Sequence, residues 1–370
     1  MVRQAQSSIR KPDFARVRKV LLLQGEPDYV PLFDSLDKQV KSAFMGKPVV
    51  TIKDEVDFAV AAGYDFVLFE IGLRPLWRSR LLAGKEGAAA QPVLRVERAQ
   101  YSVINDVANE RAWANESTKG VVTNDKEFAE FGWPTVNDFD FSVLTEVKKY
   151  LPAGMKVLVT VDGILTPVWL LMGGEFFYRS LLQNPDFTSK MFSRVGEMQY
   201  NLISRILTYD IVGALRSNDD IAYNAGTLVS PKLLRQYVFP WLKRIGDLCK
   251  QKDIPLIFHS DGNLTAVVDD IVAAGVNGLH PIQPDAMDII SLKKNYGNKL
   301  CLLGNIDMDI MTRGTEKDVA ELVIKNLRNI APGGGYMVGA SNSVPEYISV
   351  KNYNAMRETA LKYGKYPISV

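Results

Sequence analysis

The run Ile254–Gly262, IPLIFHSDG, decides the reading of the fold. An apolar stretch without alternation leads into His259, Ser260 and Asp261. Such a strand is buried on both faces, as in parallel sheet, and its polar end marks where the chain leaves the core. Seven further runs have the same shape. They are Val30–Asp34 (VPLFD), Asp65–Gly72 (DFVLFEIG), Lys156–Gly163 (KVLVTVDG) and Ile211–Asp220 (IVGALRSNDD). Val276–Gln283 (VNGLHPIQ), Leu300–Asp307 (LCLLGNID) and Tyr336–Ser343 (YMVGASNS) complete the set.

Amphipathic stretches separate most of these runs, among them Lys53–Ala62, Phe187–Asp210, Pro231–Lys252 and Thr315–Ile330, and Val350–Tyr363 closes the chain. Strands alternating with helices predict an α/β fold, a (β/α)8 TIM barrel, as a single domain over residues 1–370. The competitor is a doubly wound open sheet. It needs a Gly-rich phosphate turn after an early strand. None is present, and Gly333-Gly334-Gly335 precedes a strand rather than a helix. One gap breaks the rhythm. From Leu73 to Met155 lie about 80 residues, where a plain βαβ unit needs roughly 30. Within this insertion, about 73–150, Val93 to Trp113 is rich in Val, Ile, Tyr and Trp. It predicts an antiparallel excursion of two or three strands on the barrel rim, between strands two and three. Ala83 to Gln91 reads as a loose loop.

Composition narrows the function. The 370 residues are 47% hydrophobic and 23% charged, and 44 basic against 42 acidic side chains leave a net charge of +2. That balance argues against a dedicated nucleic-acid binder. No apolar run approaches the about 18 residues of a membrane-spanning helix. The first 24 residues carry six basic side chains and then Val20-Leu21-Leu22-Leu23, too short for a signal-peptide core. A solvated amphipathic helix is the expectation there. Only Cys249 and Cys301 are cysteines, which excludes a disulfide framework and a four-cysteine zinc site. A reduced, cytoplasmic setting follows.

Histidine is equally scarce: His259 and His280 are the only two. Barrel active sites sit at the carboxyl ends of the strands. Those ends offer Asp34, Glu70, Asp162, Asp219 with Asp220, His259 with Asp261, His280 with Gln283, Asn305 with Asp307, and Ser341 with Asn342. Both histidines therefore fall at strand ends. His259 and Asp261 are two apart, so on a strand both point to one side, which suits two ligands of one metal or an acid beside its charge partner. The plain alternatives are a core histidine and a helix N-cap. Asp219 and Asp220 are adjacent, so one faces the pocket and the other bonds backbone. A neighbouring carboxylate raises the pKa of either, which suits a general acid.

The segments Phe258–Asn263 (FHSDGN), Gly278–Pro284 (GLHPIQP) and Leu303–Asp307 (LGNID) together resemble the uroporphyrinogen decarboxylase-like superfamily. Asp219–Asn224 (DDIAYN), Ser230-Pro231 and the tail Tyr363–Pro367 (YGKYP) share the likeness, which runs from about Pro27 to Pro367. The resemblance implies a (β/α)8 barrel, in agreement with the strand reading. It also implies one of two activities. True uroporphyrinogen decarboxylases carry an arginine-rich Arg-Gln-Ala-Gly-Arg-Tyr stretch near the N-terminus. This chain has Pro31–Leu36 (PLFDSL) there, without arginine. The other branch comprises corrinoid-linked methyltransferases.

In the coenzyme M type of that branch, zinc is held by His-x-Cys and a distant Cys. Here His259 matches, but Asp261 takes the second position and the distant position falls near Ser341 to Ser343. A thiolate-rich zinc site activates a thiol, whereas a His/Asp site is harder and suits an oxygen. The resemblance therefore implies a methyltransferase I of O-demethylation. It would move a methyl group from a methoxylated, aromatic small molecule to the cobalt of a corrinoid protein. His259 and Asp261 are expected to bind zinc or together to form an acid pair, with Asp219 or Asp220 and Glu70 as further ligands or acids. Glu70, Asp162, His280, Gln283, Asn305 and Asn342 are expected to orient the substrate. A corrinoid protein is the expected partner, and a homodimer the assembly considered. A metal-free decarboxylase-like lyase is the alternative. A non-enzymatic corrinoid or tetrapyrrole carrier is disfavoured, because no Asp-x-His-x-x-Gly motif occurs.

Overall fold

The computed structural model describes residues 10–73, 76, 97–104, 107–113 and 120–370, the segment 97–113 by its backbone. In chain order the strands are β1 (Phe66–Glu70), β2 (Glu97–Ile104), β3 (Val107–Trp113), β4 (Lys156–Asp162), β5 (Val212–Asn218), β6 (Ala222–Tyr223), β7 (Gly226–Thr227), β8 (Leu256–His259), β9 (Gly278–His280), β10 (Cys301–Ile306) and β11 (Tyr336–Ala340). Seven of them form one sheet in the order β1-β4-β5-β8-β9-β10-β11. Every pairing in it is parallel. The apolar runs explain this. β8, β9, β10 and β11 are buried at every position, so helices cover one face and the sheet curls its other face onto itself.

The expectation of eight full strands needs correction. Val30–Asp34 joins the sheet through one isolated parallel bridge, Leu32 with Val338, and a second, Leu36 with Val344, follows just beyond it, rather than through a continuous ladder. Pro31 has no N–H to give a ladder. Toward β1 the described contact is between side chains: the Phe33 and Phe66 rings stand 5.8 Å apart. Close approach on the β11 side requires Gly339, where a Cβ would lie 1.8 Å from the Phe33 carbonyl oxygen. Asp34 locks this segment in place. Its carboxylate accepts from the Ala340 amide at 2.8 Å and from the Tyr64 hydroxyl at 2.9 Å.

The amino-terminal helix Phe14–Leu21 is not the solvated helix expected. Phe14, Val17, Val20 and Leu21 are buried, and so is Arg16. Arg16 pairs with Asp65 and, at 2.8 Å, with Asp28, while Arg10 reaches Asp65 at 3.0 Å. Packing of the apolar face therefore overrides the high basic content. Within the long insertion, β2 and β3 form an antiparallel pair separate from the main sheet. The Ala83 to Gln91 loop lies outside the described residues. No described helix is long and apolar enough to cross a membrane.

Candidate active site at the carboxyl ends of the strands

Sheet register gathers the polar strand ends into layers. Glu70 of β1 pairs with Thr160 of β4, and Thr160 with Arg216 of β5. One step further along, Asp162 pairs with Asn218, Asn218 with His259, and His259 with His280. Side chains on a strand alternate, so Arg216 and Asn218 project to one side of β5 and Asp220 follows at the same spacing. The result is a cavity of about 1220 Å³ lined by Glu70, Thr160, Arg216, Asn218, Asp220, His259, Asp261, His280 and Asn342. Its outer wall includes Ser35, Lys38, Lys47 and Glu346.

His259 is the centre of this group. It is 8% exposed. Its Nε2 lies 3.6 Å from Asp220 Oδ1 and 3.8 Å from Asp261 Oδ1. One ligand atom from each of Asp220, His259 and Asp261 falls within 4.8 Å of the others. The other ring nitrogen, Nδ1, stands 2.6 Å from Nδ1 of His280. The two carboxylates are placed by backbone and amide bonds. Asp220 Oδ1 accepts from the Asp261 N–H at 3.1 Å, and Asn342 Nδ2 donates to Asp261 Oδ2 at 2.9 Å. Asp261 Oδ1 is buried with no hydrogen-bond partner among the described residues. Burial, and then the negative charge of Asp220, pushes the Asp261 carboxyl up to about 7, with Asn342 working against both. Burial likewise pushes His280 far below the usual histidine range, and the neighbouring His259 and Arg216 add to it.

An orphaned carboxylate oxygen, facing a second carboxylate and an imidazole nitrogen, is a donor set that fits a divalent cation. Zinc takes His nitrogen and carboxylate oxygen. No thiolate competes. Cys249 is buried in the helix Phe239–Gln251 and Cys301 is buried in β10. Burial pushes the Cys249 thiol up to about 12.

The adjacent aspartates divide as their spacing implies. Asp220 faces the cavity, whereas Asp219 is buried behind it. The Asp219 carboxylate accepts from the amides of Ile164 at 2.8 Å, Leu165 at 2.9 Å and Thr166 at 2.7 Å. It therefore caps the helix Leu165–Met172 instead of facing a ligand. Three more residues stand behind the lining. Gln283 Oε1 accepts from the Gly262 amide at 2.5 Å. Asn305 Nδ2 donates to the Ile282 carbonyl at 2.7 Å. Asp162 is buried against Gly72, where a Cβ would stand 2.2 Å from its Oδ2. Gln283 and Asn305 thus brace the loops that carry Asp261 and His280, and Asp162 packs against the turn after β1.

Sequence reasoning passed over Thr160, Arg216 and Asn218. Arg216 is buried, donates through Nε to Thr160 Oγ1 at 3.1 Å, and lies over the Phe33 ring. An arginine directly after the apolar stretch IVGAL, within a strand read as buried, is the available signal, since a buried charge needs a reason.

The family model for uroporphyrinogen decarboxylase (URO-D) matches residues 138–363. The chain belongs to the uroporphyrinogen decarboxylase family. That match spans β4 through the last helix and so includes Arg216, Asp220, both histidines, Asp261 and Asn342. A stretch of 133 residues is 31% identical to the methylcobamide:CoM methyltransferase of Methanosarcina acetivorans. It covers 34% of this chain and 38% of that protein, so the chain matches well under half the length of this curated relative. Among solved structures, a methyltransferase from Methanosarcina mazei superposes over 95% of this chain and 99% of its own, with a TM-score of 0.66 at 14% identity. At that identity the likeness is one of fold.

Proposed function

We propose that this family member is a corrinoid-dependent methyltransferase that takes a methyl group from a methoxylated aromatic compound. The observation that carries the reading is the Asp220/His259/Asp261 triad, with nitrogen and oxygen donors and no thiolate. In the reaction the methyl–oxygen bond of the donor breaks. The methyl group leaves for the reduced cobalt of a corrinoid protein, and the phenolic oxygen keeps the bond pair. That oxygen then needs a proton or a cation.

His259 and Asp261, joined by Asp220, would hold the zinc ion. When bound, it supplies Lewis acidity toward an oxygen. The chain's own residues do the rest. Asn342 and the Asp261 amide fix the two carboxylates toward His259. The buried Arg216 guanidinium, with Thr160 and Asn218 around it, favours a donor that carries a carboxylate on its ring. The cavity mouth, walled by Ser35, Lys38, Lys47 and Glu346, is where the corrinoid partner would meet the donor. A cytoplasmic setting suits this chemistry, since Cys249 and Cys301 are both free thiols.

A metal-free lyase is the second reading. It is favoured by one feature, the Asp261 carboxyl raised to about 7, where it can hold a proton for a carbanion. Metal content separates the two in part, because tightly held stoichiometric zinc disfavours the lyase. The direct test is anaerobic methylation of cob(I)alamin with a panel of methoxybenzoates and neutral methoxybenzenes, zinc being supplied. Turnover with the acids is expected. No turnover across the panel would remove the methyltransferase reading.

A further inference from the structure

The two histidines of this chain touch each other. His259 at the end of β8 and His280 at the end of β9 are register partners, and their Nδ1 atoms lie 2.6 Å apart. That is hydrogen-bond distance, so one ring hydrogen sits between them. The outer nitrogens face different surroundings. His259 Nε2 faces the carboxylates of Asp220 and Asp261. His280 Nε2 is buried with no partner among the described residues, in a ring 1% exposed whose centroid lies 4.8 Å from that of Phe33.

Two neutral imidazoles carry two ring hydrogens, and the contact allows two arrangements of them. In the first, His280 Nδ1–H donates to His259, and His259 Nε2–H points at the carboxylates. In the second, His259 Nδ1–H donates to His280, and His280 carries its other hydrogen on Nε2. Without a cation the first arrangement wins twice. It puts a hydrogen, not a lone pair, against two carboxylates. It also leaves the buried His280 Nε2 as a bare acceptor, which is less costly than an orphaned N–H. A cation among Asp220, His259 and Asp261 needs the His259 Nε2 lone pair, so it requires the second arrangement.

We propose that His280 is a positioning residue that sets the tautomer of His259, and that loading of a divalent cation moves the shared hydrogen from His280 to His259. The hydrogen count is unchanged. His259 Nε2–H and His280 Nδ1–H are replaced by His259 Nδ1–H and His280 Nε2–H, the last gained through solvent exchange. The second half of this inference rests on the metal reading given above, and the first half does not.

Having two histidines makes the test direct, because histidine-selective 15N labelling of the full chain gives two imidazoles. Long-range proton–nitrogen correlation spectra report which nitrogen carries each hydrogen, and the His280→Asn spectrum assigns them. Metal-free protein is expected to show His259 Nε2–H and His280 Nδ1–H. Zinc chloride alone is expected to convert them to His259 Nδ1–H and His280 Nε2–H. Zinc affinity, read by competition with a chromophoric chelator, is expected to fall ~10–100-fold in His280→Phe. His280→Asn, whose amide can turn either a donor or an acceptor to His259, is expected to recover most of it. If the phenylalanine variant does not fold, the wild-type tautomers still decide.

The reverse tautomers in metal-free protein would overturn the first half. Zinc that shifts His259 while leaving the hydrogen on His280 Nδ1 would overturn the second, as would a folded His280→Phe that binds zinc like the wild type. Zinc that moves neither imidazole overturns the metal reading itself, and the metal-free tautomers then judge the first half alone.

Discussion

The backbone N–H of Asp261 donates to the Oδ1 of Asp220 at 3.1 Å. One carboxylate thus grips the main chain of the residue that bears the other. The turn after β5 and the turn after β8 are fastened together, and both carboxylates stay within 4 Å of His259 Nε2. Holding like charges together costs energy unless a proton or a cation joins them.

Removing a member of this group should abolish function and leave the fold intact. His259→Ala and Asp261→Ala are expected to lose turnover, with zinc affinity down by at least the ~10–100-fold typical of a disturbed metal site. Asp220→Asn keeps an oxygen for the Asp261 amide and removes only the charge, so its affinity should fall while its melting temperature stays put. Full activity in any of the three would defeat the site assignment.

Asp219 should behave in the opposite way. Its carboxylate satisfies three amides at the start of the helix Leu165–Met172. Asp219→Ala leaves them unpaired inside the protein. The expected loss is about 3 kcal/mol, above the ~1 kcal/mol of an ordinary lost N-cap. Urea unfolding measures it. A loss under about 1 kcal/mol would show that the cap is not structural.

Arg216 offers a test of the donor's charge. Arg216→Gln should raise KM for methoxybenzoates by ~10-fold or more, the worth of a charge-assisted bond. Neutral methoxybenzenes should change little. Equal effects on both classes would argue that Arg216 supports the cavity instead of reading a carboxylate.

Asp34 gives stability a pH dependence. Burial pushes its carboxyl up to about 7 in the folded chain, against bonds from Ala340 and Tyr64 that favour the charged form. The unfolded group titrates near 3.8. Between these values the folded state binds more protons than the unfolded one. This contribution to stability is therefore full below the unfolded value and declines as pH rises through about 7. Asp34→Asn cannot ionise and should flatten that decline. Melting temperatures across pH 5 to 8 test this, and identical slopes for the two proteins would refute it.

Much of this was legible in the residues themselves. Continuous apolar runs ending in polar residues gave all seven strands of the main sheet, because a strand buried on both faces has to be apolar throughout. His259, Asp220 and Asp261 were visible at those ends. The composition of Val30–Asp34 fits a full strand. Only the packing shows that Pro31 and a side-chain contact to β1 reduce it to bridges. The helix Phe14–Leu21 departs from the exposure its sequence implies for a related reason. Its basic residues suggest solvent, but Arg16 is buried against Asp65, a partner far along the chain.

The sequence alone determined which residue types are available: two histidines, no clustered cysteines, and acids at the strand ends. Chemistry and composition are local properties, and the chain carries them whether folded or not. The tertiary structure decided which of them meet. It turned Asp220 inward and Asp219 onto a helix end, set His259 against His280, and brought Asn342 to Asp261 from the turn after β11. Those relations depend on the register of parallel strands brought together by helical crossovers. Distance in space is not distance along the chain, so no local pattern could specify them.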